Sequence, residues 1–193
     1  MTAQCIAHAV TVDGAISSEE WPGTAVPAKE QPNRYPVTGP PATIRVAYDK
    51  TNLYVAVTTP VQDAGQLVKD ASWGGSDGLE VCIRRADKTP PGPTFVLHGF
   101  LNGVFEPVRD AGTHMEDIYR LNEAVQYAAQ LHAKKWTAEW RIPFEVLDVT
   151  PRPGLKFGFN VGVRRMETNE WLVWAGALGP NWQLDNAGTL VLE

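Results

Sequence analysis

The sequence is short of what several common functions require. Only two cysteines, Cys5 and Cys82, occur in 193 residues, too few for a disulfide scaffold, so two buried free thiols are expected rather than a bridge. Positive charge is not in surplus. Seventeen Lys and Arg face 22 Asp and Glu, a net charge of -5, which offers nothing to neutralise a nucleic-acid backbone. No apolar run reaches the roughly 18 residues that suggest a membrane span. The four histidines, His8, His98, His114 and His132, lie scattered, without the spacing of a zinc site. No Gly-Xaa-Ser-Xaa-Gly elbow, phosphate loop or dinucleotide fingerprint occurs. Residues 1–10 lack the charged start and apolar core of a signal peptide. With no sharp catalytic motif, a binding role gains ground and no cofactor is called for.

What is present is ordinary globular composition, 44% hydrophobic and 20% charged, enough for one domain spanning 1–193. Gly and Pro are plentiful, at 17 and 15 residues, which fits many turns between short strands. Alternating or apolar stretches predict strands near 3–10, 43–48, 52–59, 78–85, 94–100, 103–108, 123–133, 135–142, 156–165, 170–175 and 188–192. Asp49-Lys50-Thr51-Asn52 and Leu101-Asn102-Gly103 read as hairpin turns. Helical signals are confined to Ser17–Trp21, with a serine N-cap, and Pro143–Leu147, with Pro at its first position. The proline-rich tracts at 32–41 and 89–93 read as surface loops. The expected architecture is all-β: a two-sheet antiparallel β-sandwich, immunoglobulin- or jelly-roll-like, with one or two short helical turns.

Seven tryptophans are the informative residues, since an indole face can stack on the C–H surface of a sugar ring. Each is equally a large core filler. Trp136 and Trp140 alternate with Ala138 and Ile142 and are expected in the core. Trp21 is expected to anchor its short turn to a sheet. Trp171 and Trp174 have opposite strand parity, so at most one faces a given side. Trp73, in Ala71-Ser72-Trp73-Gly74-Gly75-Ser76-Asp77-Gly78, and Trp182, in Leu178-Gly179-Pro180-Asn181-Trp182-Gln183, sit in loop-like segments. There an indole either plugs the end of a sandwich or stands as a binding platform. Asp77 and Glu80 flank a strand start, and Glu139 is mid-strand; paired carboxylates can run glycoside hydrolysis, but solvated strand-end charges are commoner.

Taken in order, these pieces resemble the family 9 carbohydrate-binding modules and their DOMON-like relatives. The resemblance runs from Val12-Asp13-Gly14-Ala15-Ile16 with Glu20-Trp21, through the 44–57 hairpin and Ser76-Asp77-Gly78-Leu79-Glu80-Val81. It continues through Trp136–Pro143 and Gly154–Asn160 with Arg164-Arg165, and ends at Trp182 and Gly188-Thr189-Leu190. It implies a sugar held between Trp73 and Trp182, with the Glu80 carboxylate accepting hydrogen bonds from sugar hydroxyls. Where sugar-binding members place Gln, Arg and Asn on the next strand, this chain has Val96, His98 and Phe100. The expected ligand-binding set is therefore Trp73, Trp182, Glu80, His98 and Asp77. The resemblance further implies a non-catalytic accessory domain of a secreted polysaccharide-degrading enzyme, extracellular or periplasmic. Its partners would be an oligo- or polysaccharide and a covalently linked catalytic domain. Some members hold a structural Ca2+.

Three other readings compete. One is a structural or interaction sandwich without a sugar site. A second is a haem-binding relative, drawing on Met115, Met166, His98 and His114. The weakest is a hydrolase using Glu80 with Glu139 or Asp77.

Overall fold

The computed structural model describes residues 1–29, 37, 39–176 and 179–193. Most of the 32–41 tract, expected as a surface loop, and Leu178 lie outside them. Twelve strands and one α-helix are found among the described residues. They are β1 (Thr2–Cys5), β2 (Val26–Ala28), β3 (Ala42–Tyr48), β4 (Asn52–Pro60), β5 (Gly78–Arg85) and β6 (Thr94–Phe100), then β7 (Phe105–Val108), α1 (Met115–Ala124), β8 (Gln126–Leu131), β9 (Lys135–Pro143), β10 (Lys156–Arg165), β11 (Glu170–Val173) and β12 (Gly188–Leu192). None of the described helices is long and apolar enough to cross a membrane.

The strands follow one path, β7-β6-β5-β10-β12-β1-β3-β4-β9-β8, with β11 on β10 and β2 on β3. This corrects the expectation of two purely antiparallel sheets. β1 is shared: Thr2 and Ala3 pair with β12, and Gln4 and Cys5 pair with β3, both in parallel. The first strand thus joins two otherwise antiparallel halves along one side. Parallel neighbours need long crossovers, which is why adjacent-strand alternation gave no hint of them.

The halves face each other across one core, in the manner of a sandwich. Leu79, Val81, Ile83, Phe157, Phe159 and Val161 from one half join Val55, Val57, Trp136, Trp140 and Ile142 from the other in a single buried cluster. Alternation explains the choice, because a strand turns successive side chains to opposite faces. The expected turns form. Asp49 Oδ1 accepts from the Thr51 and Asn52 amides, both at 2.7 Å, and Gly103 adopts φ 83° between β6 and β7. At 144–148 successive i to i+3 bonds make the expected helical turn.

The region after β7 departs from expectation. Residues expected to begin a strand at 123 end a ten-residue helix instead, and β8 starts at Gln126. Glu116 and Asp117 in the first turn favour the helix through its dipole. Ile118, Leu121 and Val125 give a helical spacing that the downstream alternation obscured.

The amino-terminal segment is locked to the far half by a buried carboxylate. Glu139 on β9 accepts from the Trp21 indole at 2.7 Å, the Gly14 amide at 2.8 Å and the Asp13 amide at 3.2 Å. Trp21 is buried as expected, and Ser17 caps its turn by accepting from the Glu20 amide.

Candidate functional site

The site is built on the outward face of β5, β6, β7, β10 and β11. On β5 the odd residues Leu79, Val81 and Ile83 enter the core, so Glu80 and Cys82 point the other way. Register then lines up a row across the sheet. Glu106 on β7 pairs with His98 on β6, His98 with Glu80, and Glu80 with Gly162 on β10. Neighbouring rows place Arg164 opposite Gly78 and opposite Trp171.

Glu80 and His98 are 3% and 2% exposed. His98 Nε2 lies 3.0 Å from Glu80 Oε2, and its Nδ1 lies 3.6 Å from Glu106 Oε1. The other Glu80 oxygen accepts from the Cys82 thiol at 3.4 Å, and the Asn181 amide donates to that sulfur at 3.4 Å. Burial, reinforced by the nearby Glu80 charge, pushes the Cys82 thiol well up, so it stays an S–H donor. Cys5, by contrast, is exposed and free, which corrects the expectation of two buried thiols.

Loops cover this face. Trp73 stacks on His98 with centroids 4.0 Å apart and planes 16° from parallel, and meets Trp171 edge-on at 5.3 Å. Arg164 holds this corner. It donates to Gly74 O at 3.2 Å and Asn169 Oδ1 at 2.6 Å, with its guanidinium 5.0 Å from the Trp171 ring centre. Trp182, half-buried, packs on a small cluster containing Cys82, Val96 and Leu184.

Between these walls lies a cavity of about 300 Å3, lined by Trp73, Trp171 and Trp182 with Glu80, Asp110 and Asn181. That is the lower end of the range typical of small-ligand sites. Gly162 forms part of its floor. A Cβ there would meet Asn181 Nδ2 at 3.0 Å, so the missing side chain keeps the hollow open.

The structure therefore brings Trp73, Trp182 and Glu80 to one cavity. His98 lies beneath Trp73 rather than among the lining residues, where it supports the indole and orients Glu80. Asp77 sits apart. Its carboxylate is buried and accepts from the Val68 amide at 2.9 Å and the Met166 amide at 3.0 Å; burial raises its pKa despite these bonds. Its place is to tie the ends of the Trp73 loop. Glu139 belongs to the other half, so neither expected hydrolytic partner shares the cavity with Glu80. His98 spends Nε2 on Glu80 and its ring face on Trp73, and it is 2% exposed, so its ring is packed against protein groups rather than presented to a haem.

Trp171, Asp110 and Asn181 were not singled out from the sequence. Parity separated Trp171 from Trp174, and the structure shows which is which: Trp174 packs against Phe159 at 6.1 Å and Trp171 turns to the cavity. Asp110 follows β7 in a loop with no sequence signal of its own.

Among the described residues, Glu80, His98 and Asp110 could share an ion, their ligand atoms lying within 4.8 Å of one another. An imidazole nitrogen and two carboxylates do not make the six- to eight-oxygen shell of Ca2+, so this group does not match the expected structural calcium.

A family model described as "Carbohydrate family 9 binding domain-like" matches residues 12–193. Two solved structures of a family 9 carbohydrate binding module from Caldicellulosiruptor kristjanssonii share the fold. The one in complex with cellotriose has a TM-score of 0.71 at 15% identity, covering 100% of this chain and 94% of that one. The one in complex with glucose has a TM-score of 0.70 at 15% identity, with 100% and 96% covered. A comparison with curated proteins found no match.

Proposed function

Because the chain belongs to the carbohydrate family 9 binding domain-like family, we propose that its cavity holds a sugar ring and that it acts without catalysis. The observation that carries this is the convergence of three indoles and a buried carboxylate on one hollow. Indole faces offer apolar area to sugar C–H groups, while Glu80, Asp110 and Asn181 take hydrogen bonds from hydroxyls. Trp182 and Trp73 form the principal walls, with Trp171 closing the corner. His98, Cys82 and Arg164 are positioning residues that act through Glu80 and the two indoles. The solved relatives were captured with glucose and cellotriose, so gluco-oligosaccharides are the natural first ligands.

The wider role follows from the same reading. The domain serves as an accessory module of a secreted polysaccharide-degrading enzyme, covalently attached to a catalytic partner and working outside the cytoplasm. It anchors that partner on its substrate. The rival, a purely structural sandwich, draws on one observation: one face of Trp73 is already covered by His98.

Isothermal titration of cellotriose into the wild type, Trp73→Ala and Trp182→Ala decides between them. Aromatic contacts contribute about 0.5–1.5 kcal/mol beyond buried area, so each variant should bind roughly two- to twelvefold more weakly from that contribution alone. Thermal unfolding confirms that both remain folded. Undiminished binding in both variants, or none in the wild type across gluco-oligosaccharides, rejects the proposal.

A further inference from the structure

We propose that this cavity selects a saccharide carrying a free primary ammonium group, such as a 2-amino-2-deoxyhexose unit, over the neutral or N-acetylated sugar. The proposal rests on the saccharide-binding reading above. Among the described lining residues the charged side chains are Glu80 and Asp110, both acidic. Glu80 is buried and cannot turn to solvent. Asp110 makes no ion pair among the described residues, and Glu106 adds a third carboxylate behind His98. The nearby cation, Arg164, is spent on the backbone of Gly74, the Asn169 side chain and the Trp171 ring, and it does not line the hollow.

Asn181, which lines the same hollow, carries a third acceptor. The donor chain runs from Asn181 Nδ2 to the Cys82 sulfur and from the Cys82 thiol to Glu80. This uses the Asn181 amino group and leaves its Oδ1, a buried atom, without a hydrogen-bond partner in the protein. An ammonium group brings three donors and no acceptor, which matches Glu80, Asp110 and Asn181 Oδ1. A hydroxyl brings one. The three indoles favour the same charge, because a cation is drawn to the face of tryptophan. N-acetylation removes both the charge and two of the donors. A uronic acid would bring a like charge to two carboxylates.

Calorimetry at about pH 6, where the amine is protonated, compares three probes: a fully deacetylated glucosamine trisaccharide, its N-acetylated counterpart and cellotriose. The glucosamine trisaccharide should bind about tenfold or more tightly than either, as a charge-assisted hydrogen bond does relative to a neutral one. The ratio should shrink in 1 M NaCl, where the Debye length is about 3 Å, and shrink again in Asp110→Asn. Cellotriose binding as well as the amino sugar overturns amine selection while leaving the sugar site intact. No binding of any probe rejects the sugar site itself. Loss of all binding after chelation, restored by Zn2+, overturns the proposal in favour of a metal held by Glu80, His98 and Asp110.

Discussion

Removing the Glu139 carboxylate should unlock the amino-terminal segment from the sheet without touching the cavity. Glu139→Ala strands three donors. The Trp21 indole N–H and the Gly14 amide are buried at 2.7 and 2.8 Å from the carboxylate, and the Asp13 amide is half-buried. Each stranded buried donor costs about 1–3 kcal/mol, so the two buried ones alone set a loss of roughly 2–6 kcal/mol. That is a large share of the ~5–15 kcal/mol of a typical domain. Urea unfolding should show a lower midpoint with an unchanged slope. Glu139→Gln should fall between, because its amide oxygen still serves one side while its NH2 opposes a donor on the other. Saccharide binding by the folded fraction should not change, since Glu139 lies in the opposite half from the cavity. A loss of less than about 0.5 kcal/mol, the level of a neutral surface change, would refute the lock.

Further outcomes follow from the same structure. Burial lifts the Glu139 carboxyl above its usual 4.5, outweighing the bonds from Trp21, Gly14 and Asp13. The folded chain then holds more protons than the unfolded one between about pH 4.5 and its own higher folded value, so this group's contribution declines as pH rises through that window. The wild-type advantage over Glu139→Gln should show that slope, and a rising advantage would contradict it. Ellman's reagent should titrate one thiol, Cys5, in the native protein and two in denaturant, because Cys82 is buried with its pKa raised; two fast native thiols would refute this. Gly99→Ala should destabilise by about 1–3 kcal/mol, since its Cβ would overlap the Trp140 and Tyr127 rings; an unchanged melting temperature would show that the facing strands can part.

Much of the scaffold was legible because strand alternation is a local signal. β5 shows it plainly, with Leu79, Val81 and Ile83 inward and Glu80 and Cys82 outward. The hairpin turns at 49–52 and 101–103 carry their own chemistry in Asp49 and Gly103. The parallel pairing of β1 was not legible, because nothing local to Thr2–Cys5 says that it borders strands beginning at 42 and 188. The helix at 115–124 was hidden by the alternating residues that follow it. In the site, loop position pointed to Trp73 and Trp182, and family resemblance pointed to Glu80 and to the strand position of His98, though not to its place beneath Trp73. The remaining members depend on register and long-range approach. His98 faces Glu80 because β5 and β6 align as they do. Asp110 and Asn181 reach the same hollow from loops far apart in the chain. The same holds for Glu139, whose indole partner lies 118 positions away.

The most direct measurement is the set of seven indole N–H resonances in a 1H–15N correlation spectrum during titration with cellotriose. Signals from Trp73, Trp171 and Trp182 should move together with one saturation curve, while those of the buried Trp21, Trp136 and Trp140, and of Trp174 against Phe159, stay in place. Saturable binding that leaves the three cavity indoles unmoved would place the sugar elsewhere and contradict the account.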